Sequence, residues 1–537
     1  MKLNLSASGA VSAARPRAFL IYSTLKTETR SLSRVAWLAL GAGFLLRLGQ
    51  YLLDRSLWLD EAYLSLNILH RSFSGLLQPL DYHQGAPLGF LFVEKSALHF
   101  LGPGELSLRL LPLLAGLISL FLFFRVAKDI LRPAAVPVAL GLFAVAPPLI
   151  YYASEVKQYS SDVAIALLLY VIALGRKSEQ WTSTRVLVFG AVGSLAVWFS
   201  HPSVFVLAGI GAMVVLSCME RRDWESLVRF SPAIAMWATS LLVCYLVLLR
   251  HLTGDQTLLN YWSSNFMPFP TRSLSDLNWF FDTFFGFFSG TAGLVMSGLA
   301  AFVFLIGVFY KWSTDRQQVS ILLAPAALTL LASGLHKYPF GGRLALFLVP
   351  AIFLLMAEGI EQIRISLPNN SRAIAYALIG LLFLDPCIYL AHHFLKPYSL
   401  VRTPGIMLPE EIRPVFTYVH QHEQSGDVIY LFTDSQPAYE YYEEVDRVHD
   451  ANVVMGTASG SHPEAYMADL DRLRGRRVWV VFSHFNGMDA DEAKYVRFYL
   501  ESLGKQLSEF SSPGAAVYLY DLSGAPASPA ALSAKVR

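Results

Sequence analysis

An acidic pair, Asp60 and Glu61, stands in the motif WLDEAY directly after the first long apolar stretch of the chain. Carboxylates beside a membrane-spanning segment are costly unless they face water or a polar cavity. A carboxylate in that position can take a proton from a bound hydroxyl group. We therefore predict that Asp60 and Glu61 are catalytic, with Asp60 acting as a general base.

The segment YYASEVKQYSSD at 151–162 is a second group of polar residues. On a helix, Glu155, Tyr159 and Asp162 share one face because they are four and then three residues apart. An aromatic belt with a snorkelling lysine at the membrane interface would also account for the tyrosines, so both interpretations stay open. In the functional interpretation, Glu155, Lys157 and Tyr159 bind the substrate.

The loop HKYPFGGR at 336–343 places two cations beside glycines that permit a close backbone approach. Lys337 and Arg343 suit an anionic ligand such as phosphate, and Tyr338 lies between them in the sequence. We predict that all three residues bind the substrate.

Two histidines complete the predicted substrate-binding residues. His83 lies in the motif DYHQGAPL, and His201 precedes a proline between two apolar stretches. For His201 a simple tight turn is the more common explanation, and it remains an alternative.

The elements that position these residues are predicted to be membrane helices. Of the 537 residues, 54% are hydrophobic and only 15% are charged, whereas soluble proteins have about 25% charged residues. About eleven apolar segments could each span a bilayer: 35–53, 106–127, 134–151, 159–175, 185–200, 203–219, 230–249, 291–310, 319–335, 343–359 and 373–392. The net charge of +2 does not favour a nucleic-acid partner, and all three cysteines lie in apolar runs.

The distribution of charge predicts the orientation. Basic residues precede the first apolar segment and follow each even-numbered one, which places the N-terminus in the cytoplasm under the positive-inside rule. The predicted regions are a cytoplasmic segment at 1–34, a transmembrane domain at 35–395 with a first outer loop at 54–105, an extracytoplasmic α/β domain at 396–523 and a disordered tail at 524–537. The α/β assignment rests on strand-like runs at 428–432, 478–482 and 516–520 alternating with helix-like segments.

These features favour transfer chemistry at the outer face of a membrane. Nucleotide sugars and ATP are not supplied there, so an enzyme needs an activated donor that arrives in the bilayer, such as a polyprenyl-phosphate-linked sugar. Because phosphate is a good leaving group, one base and a few cations are sufficient. A glycosidase would need two carboxylates on either side of the scissile bond. The sequence shows no clear three-ligand metal set, so no cofactor is predicted, and a divalent metal remains an alternative that no residue pattern indicates.

The chain resembles the GT-C superfamily of polyprenyl-phosphate-sugar glycosyltransferases, in particular the branch that contains protein O-mannosyltransferases, lipid A aminoarabinose transferases and core galacturonosyltransferases. The resemblance rests on LRLGQYLLDRSLWLDEAYLSL (46–66), DYHQGAPLGF (81–90), YYASEVKQYSSD (151–162), FSHPS (199–203) and YPFGGRLALFLVPA (338–351). It implies a GT-C fold in a bacterial inner membrane, with the C-terminal domain in the periplasm or outside the cell.

The same resemblance implies roles for individual residues. It implies an inverting transfer with Asp60 as base, Lys157 as a contact to the lipid phosphate, and Arg343 as a second phosphate or acceptor contact. The family often has Arg at the position of Lys157, so this chain keeps the charge but loses bidentate geometry. The acceptor is a hydroxyl group of a glycan, a lipid or a protein.

Two other functions remain open at this stage. A transporter or lipid flippase could use the same cavity without chemistry, although transporter sites lie near the middle of the bilayer and these polar residues cluster at one face. A non-catalytic partner in glycan assembly is the other alternative.

Overall fold

The structure is a computed structural model that describes residues 14–175, 181–400, 403–450, 452–457, 464–484 and 490–523. Within these residues the chain is mainly helical as far as Leu395 and then forms a domain around a five-stranded sheet. The predicted disordered tail at 524–537 lies outside the described residues, as do residues 1–13 of the predicted cytoplasmic segment.

The helices of the first part differ widely in length. Those up to residue 174 are α1 (Ala14–Leu52), α2 (Leu59–His70), α3 (Leu88–Leu101), α4 (Glu105–Leu108), α5 (Leu110–Ile130), α6 (Ala135–Val145), α7 (Pro147–Tyr151) and α8 (Tyr159–Leu174). Those that follow are α9 (Ser183–Phe199), α10 (Ser203–Arg221), α11 (Trp224–Cys244), α12 (Arg250–Leu252), α13 (Gln256–Tyr261), α14 (Leu274–Gly286), α15 (Ser297–Thr314), α16 (Arg316–Gly334), α17 (Val349–Ser366) and α18 (Ala373–Leu395).

Among the described residues, eight helical segments are long and apolar enough to cross a membrane, or up to nine if a bent pair counts as one span. The eight are Leu32–Leu52, Leu110–Ile130, Ser203–Arg221, Trp224–Leu252, Ser297–Thr314, Arg316–Gly334, Gly342–Ser366 and Asn369–Leu395. The bent pair is α6 with α7 and its following turn, and the apolar helices α8 and α9 have only 16 and 17 residues. Each predicted segment therefore overlaps at least one helix, although 291–310 begins before α15 and 134–151 is broken by the bend, and about eleven crossings stays a prediction.

The segment Gly342–Ser366, which contains α17, lies at the centre of the bundle. It is 94% buried over its most apolar stretch, whereas Trp224–Leu252 is only 17% buried and lies at the periphery. Helices α17 and α15 cross with their backbones in contact: a Cβ atom added to Gly307 would lie 1.8 Å from the Leu355 carbonyl oxygen. Small residues allow this close packing, which anchors the chain just after the predicted phosphate-binding loop.

The bend between α6 and α7 directs the chain towards the segment that carries Lys157. The two helices meet at 58° where Pro147 begins α7. The fully buried Arg47 of α1 donates to the carbonyl oxygens of Phe143 and Ala144, at 3.2 and 3.3 Å. The guanidinium thus satisfies carbonyl groups at the end of α6 that the break leaves without helical partners.

The C-terminal domain has the strand order β2-β1-β3-β5-β4. Its strands are β1 (Val428–Leu431), β2 (Val453–Met455), β3 (Arg477–Ser483), β4 (Lys505–Ser512) and β5 (Ala515–Asp521), and its helices are α19 (Arg413–His422), α20 (Gln436–Asp446), α21 (Glu464–Asp471) and α22 (Ala490–Leu503). Strand β1 is parallel to β2 and β3, and β5 is antiparallel to β3 and β4.

The three central strands were predictable because each contains a continuous apolar run. The three strand-like runs of the sequence correspond to β1, β3 and β5, and the predicted small α/β domain is confirmed. Strands β2 and β4 lie at the two edges of the sheet and are not evident in the sequence. Strand β2 has three residues, and β4 alternates exposed and half-buried positions without an apolar run.

Candidate active site

The acidic pair lies in the first turn of α2, because Asp60 and Glu61 are its second and third residues. The partial positive charge at the start of a helix stabilises carboxylates there. Glu61 also accepts the N–H of Trp58, the residue before the helix, at 3.1 Å. Consecutive residues point about 100° apart around a helix, so the two carboxylates meet different surroundings.

Glu61 is buried in a pair with Arg109, which precedes α5. The Arg109 guanidinium donates from Nε and Nη2 to the two oxygens of Glu61, at 3.0 and 2.8 Å. The same carboxylate accepts the N–H of Val156 at 2.8 Å. Burial alone would raise the pKa of Glu61, but Arg109 outweighs it, and the pKa lies below its usual range. Glu61 therefore connects α2, α5 and the segment that carries Lys157.

Asp60 lies between two cations from distant parts of the chain. Its Oδ1 is 3.0 Å from Lys157 Nζ, and its Oδ2 is 2.7 Å from Arg343 Nη2. The carboxylate is 19% exposed. Burial by itself raises the pKa of Asp60, but Lys157 and Arg343 outweigh burial and hold the pKa at about 2. Asp60 is therefore ionised at neutral pH, as a base must be.

Arg343 lies in a box of aromatic rings at the turn before α17. Its guanidinium carbon is 5.4 Å from the ring centre of Trp58, 5.7 Å from Tyr159 and 5.6 Å from Trp262. Within the described part of the chain, its buried Nε and Nη1 have no hydrogen-bond partner. These two N–H groups could donate hydrogen bonds to a bound anion. The faces of the three aromatic rings stabilise the positive charge of Arg343.

Asp60, Lys157 and Arg343 line a cavity of about 740 Å³. Asp60 contacts both cations, and most of the other lining residues are apolar or aromatic, including Tyr245, Leu249, Leu252, Leu258, Tyr261 and Phe266. A cavity that combines a charged cluster with a largely apolar and aromatic lining suits a ligand that joins an anionic head to a hydrocarbon chain.

The other predicted binding residues also reach this cavity, with one exception. His83, Tyr159, His201, Lys337 and Tyr338 line it. Their individual contacts show which of them have partners in the protein.

The histidines differ in their surroundings. His83 Nδ1 lies 2.8 Å from Asp255 Oδ2, which joins the first loop to the segment before α13. Burial lowers the pKa of His201 to about 4, so its imidazole is neutral at physiological pH. Lys337 is exposed, and the hydroxyl of Tyr338 donates to the Leu344 carbonyl at 3.0 Å.

Glu155 is the exception, because it is fully buried and does not line the cavity. Neither of its carboxyl oxygens has a hydrogen-bond partner within the described residues. Burial and the charges of Glu61 and Asp60 raise the pKa of Glu155 against the opposing effect of Arg343 and Lys157. A neutral carboxylic acid is the form that this position favours.

Several residues of the site were not predicted from the sequence. Gln84 accepts a hydrogen bond from Lys157 Nζ at 2.6 Å, and Trp58 and Trp262 contact Arg343. Arg109 could have been recognised from the sequence, because a charged residue near the start of a predicted membrane span is unusual. The contributions of Gln84 and Trp262 depend on contacts between separate segments, which no local pattern indicates.

The described residues contain no group of three or more His, Cys, Asp or Glu side chains that could hold a metal ion. No protein-family model and no curated protein sequence matches the chain. Similarity to known proteins is therefore structural.

The chain is similar to two crystal structures of ArnT from Cupriavidus metallidurans. The apo structure aligns with a TM-score of 0.53 at 13% identity, over 92% of this chain and 98% of ArnT. The structure bound to undecaprenyl phosphate aligns with a TM-score of 0.53 at 14% identity, over 93% and 100%. An Archaeoglobus fulgidus oligosaccharyltransferase in complex with Zn and sulfate gives a TM-score of 0.49 at 11% identity, over 90% and 73%. The chain thus shares the fold of ArnT. The resemblance predicted from the sequence is confirmed at the level of the fold.

Proposed function

We propose that the protein is a membrane glycosyltransferase that moves a sugar from a polyprenyl-phosphate donor to an acceptor hydroxyl with inversion. The observation that carries the proposal is the Asp60 carboxylate between Lys157 and Arg343 in a cavity with a largely apolar and aromatic lining. The shared fold supports it, since ArnT has been crystallised with undecaprenyl phosphate.

In this proposal the donor phosphate competes with Asp60 for Lys157 and Arg343. An aspartate with a pKa near 2 is a weak base, because a good base has a pKa close to the working pH. A phosphate that takes over the two cations also removes the charges that depress the pKa of Asp60. Donor binding would then turn an ion-paired carboxylate into a stronger base at the point where it is needed.

The reaction step requires only this base and these cations. Asp60 takes the proton of the acceptor hydroxyl as its oxygen bonds to the anomeric carbon on the face opposite the phosphate. The bond between that carbon and the phosphate oxygen breaks, and the electron pair leaves with the polyprenyl phosphate. Lys157 and Arg343 stabilise the charge that develops on the leaving phosphate.

Glu61 has a positioning role in this mechanism. Its two oxygens are occupied by Arg109 and Val156, so it fixes the start of α2 relative to Lys157. We propose that it does not touch the substrate, in contrast to the catalytic role predicted from the sequence.

The positive-inside pattern supports the proposed location. We place the N-terminus in the cytoplasm, and the cavity and the C-terminal domain on the opposite side, which is the periplasm if the membrane is the bacterial inner membrane. The acceptor would be a glycan, lipid or protein hydroxyl on that side.

The test is mass spectrometry of extracted glycolipids and envelope glycans from a deletion strain complemented with wild type, Asp60→Asn or Asp81→Asn. Asp81 is a matched control in the same loop, where it pairs with Arg71 at 2.8 Å without lining the cavity. Wild type and Asp81→Asn should restore a mass that differs by one sugar, and Asp60→Asn should not. If Asp60→Asn also restores it, the protein carries or organises a glycan without making the bond.

A further inference from the structure

His484 brings the C-terminal domain into the cavity. It follows β3 directly and is the one described residue of that domain that lines the cavity around Asp60. The domain is held against the start of α2 by hydrogen bonds. The N–H of Leu57 donates to the Tyr442 hydroxyl at 2.9 Å, and the N–H and hydroxyl of Ser56 donate to Glu411.

The position of the His484 ring is fixed from several directions. Its Nδ1 lies 3.2 Å from Oε2 of Glu410, a buried carboxylate. The same Glu410 oxygen accepts the N–H of Leu59, the residue before Asp60, at 3.3 Å. The imidazole also lies against the indole of Trp58, with ring centres 5.6 Å apart.

The backbone supports a functional interpretation of this placement. His484 has a φ of +59°, a left-handed conformation that costs free energy for a residue other than glycine. Surroundings that hold a non-glycine residue in this conformation are often found at functional sites. The observation is consistent with a side chain that is directed to one place by its neighbours.

We propose that His484 positions the acceptor hydroxyl for the reaction at Asp60. This inference rests on the proposed function. Trp58 contacts both His484 and Arg343, so the imidazole is one ring away from the proposed phosphate site. The Glu410 carboxylate beside His484 would repel a phosphate but tolerates a neutral hydroxyl, which assigns this side of the cavity to the acceptor rather than to the donor.

His420 provides a matched control in the same domain. It pairs with the Asp450 carboxylate at 3.1 Å and has a side-chain exposure of 27%, against 30% for His484, but it does not line the cavity around Asp60. A purely structural role for His–carboxylate pairs in this domain would affect both residues alike.

The experiment uses full-length wild type, His484→Ala, His484→Gln and His420→Ala in lipid nanodiscs. Transfer is measured against graded amounts of the sugar-deficient envelope fraction from the deletion strain, which contains its glycans, lipids and proteins, with the lipid extract of that strain as donor. Binding of undecaprenyl phosphate is measured separately. His484→Ala should raise the apparent KM for the acceptor fraction about tenfold, the effect of one hydrogen bond, with little change in kcat or in undecaprenyl phosphate binding.

The controls separate this inference from its alternatives. His484→Gln should recover part of the loss because an amide can still hydrogen-bond, and His420→Ala should behave as wild type. Equal losses in His484→Ala and His420→Ala, unchanged KM in His484→Ala, or a large loss of undecaprenyl phosphate binding would each overturn the acceptor role. If wild type itself transfers no sugar in this assay, the proposed function fails instead, and the acceptor role fails with it. If Asp60→Asn transfers sugar as well as wild type, the base assignment fails, and a role of His484 at Asp60 fails with it.

Discussion

Replacing Asp60 by asparagine should abolish sugar transfer and at the same time strengthen the binding of undecaprenyl phosphate. In the structure, Lys157 and Arg343 both bind the Asp60 carboxylate. A lipid phosphate that uses the same two cations has to displace that carboxylate. The asparagine side chain has a similar shape but no negative charge, so it removes both the base and the competitor.

The magnitude follows from the pKa of Asp60. The cations lower this pKa from 3.8 to about 2 after the opposing effect of burial, which corresponds to roughly 2.4 kcal/mol at 1.36 kcal/mol per pKa unit. Full release of that free energy would strengthen phosphate binding roughly 60-fold. The gain is reduced because the amide oxygen of asparagine can still accept hydrogen bonds from the cations. Transfer should fall at least about 100-fold through loss of the base.

The assay compares wild type, Asp60→Asn and Asp81→Asn as purified proteins in nanodiscs. Undecaprenyl phosphate binding is titrated by native mass spectrometry, and transfer is measured on the same preparations. Asp81→Asn should match wild type in both measurements. Weaker or equal lipid binding by Asp60→Asn would refute competition for the two cations, and retained transfer would refute the base assignment.

Three further predictions address the neighbours of Asp60. Lys157→Met should weaken undecaprenyl phosphate binding about 10- to 100-fold through loss of a charge-assisted hydrogen bond, whereas Lys157→Arg should bind nearly as wild type. Equal binding by both variants would show that Lys157 does not contact the phosphate. Glu61→Gln should lower the free energy of unfolding by about 3–5 kcal/mol because Arg109 is left buried without a carboxylate, and an unchanged unfolding midpoint in detergent would contradict this. The pKa of Glu155 is about 8, raised by burial and by Glu61 and Asp60 against Arg343 and Lys157, so the residue is neutral below that pH and gains a charge above it. Wild-type transfer should therefore fall above about pH 8 through repulsion of the donor phosphate, and Glu155→Gln should lose this fall in a pH–rate profile.

The raised pKa of Glu155 also makes the free energy of unfolding depend on pH. The unfolded chain releases this proton near the ordinary glutamate value of 4.5, whereas the folded protein keeps it until about 8. The free energy of unfolding should therefore decrease as the pH rises between these values, and Glu155→Gln should reduce the decrease.

The sequence by itself determined the apolar segments, the acidic pair and the cationic loop. Hydrophobicity is a local property, so runs of apolar residues indicate helices whatever their neighbours are. The sequence also indicated Asp60, Lys157 and Arg343, because charged residues at the ends of apolar segments are unusual enough to be recognised without coordinates. The central strands of the C-terminal domain were evident for the same local reason.

Only the tertiary structure decided how these groups are paired. Asp60 meets Lys157 across 97 positions of sequence and Arg343 across 283. The tertiary structure also separates the two carboxylates that are adjacent in the sequence. Asp60 lines the cavity, whereas Glu61 is buried against Arg109. The fold also brings His484 of a separate domain to the same cavity. Such contacts follow from how the helices and the sheet pack, and burial and charge at a site depend on all of its neighbours together, so no local pattern encodes them.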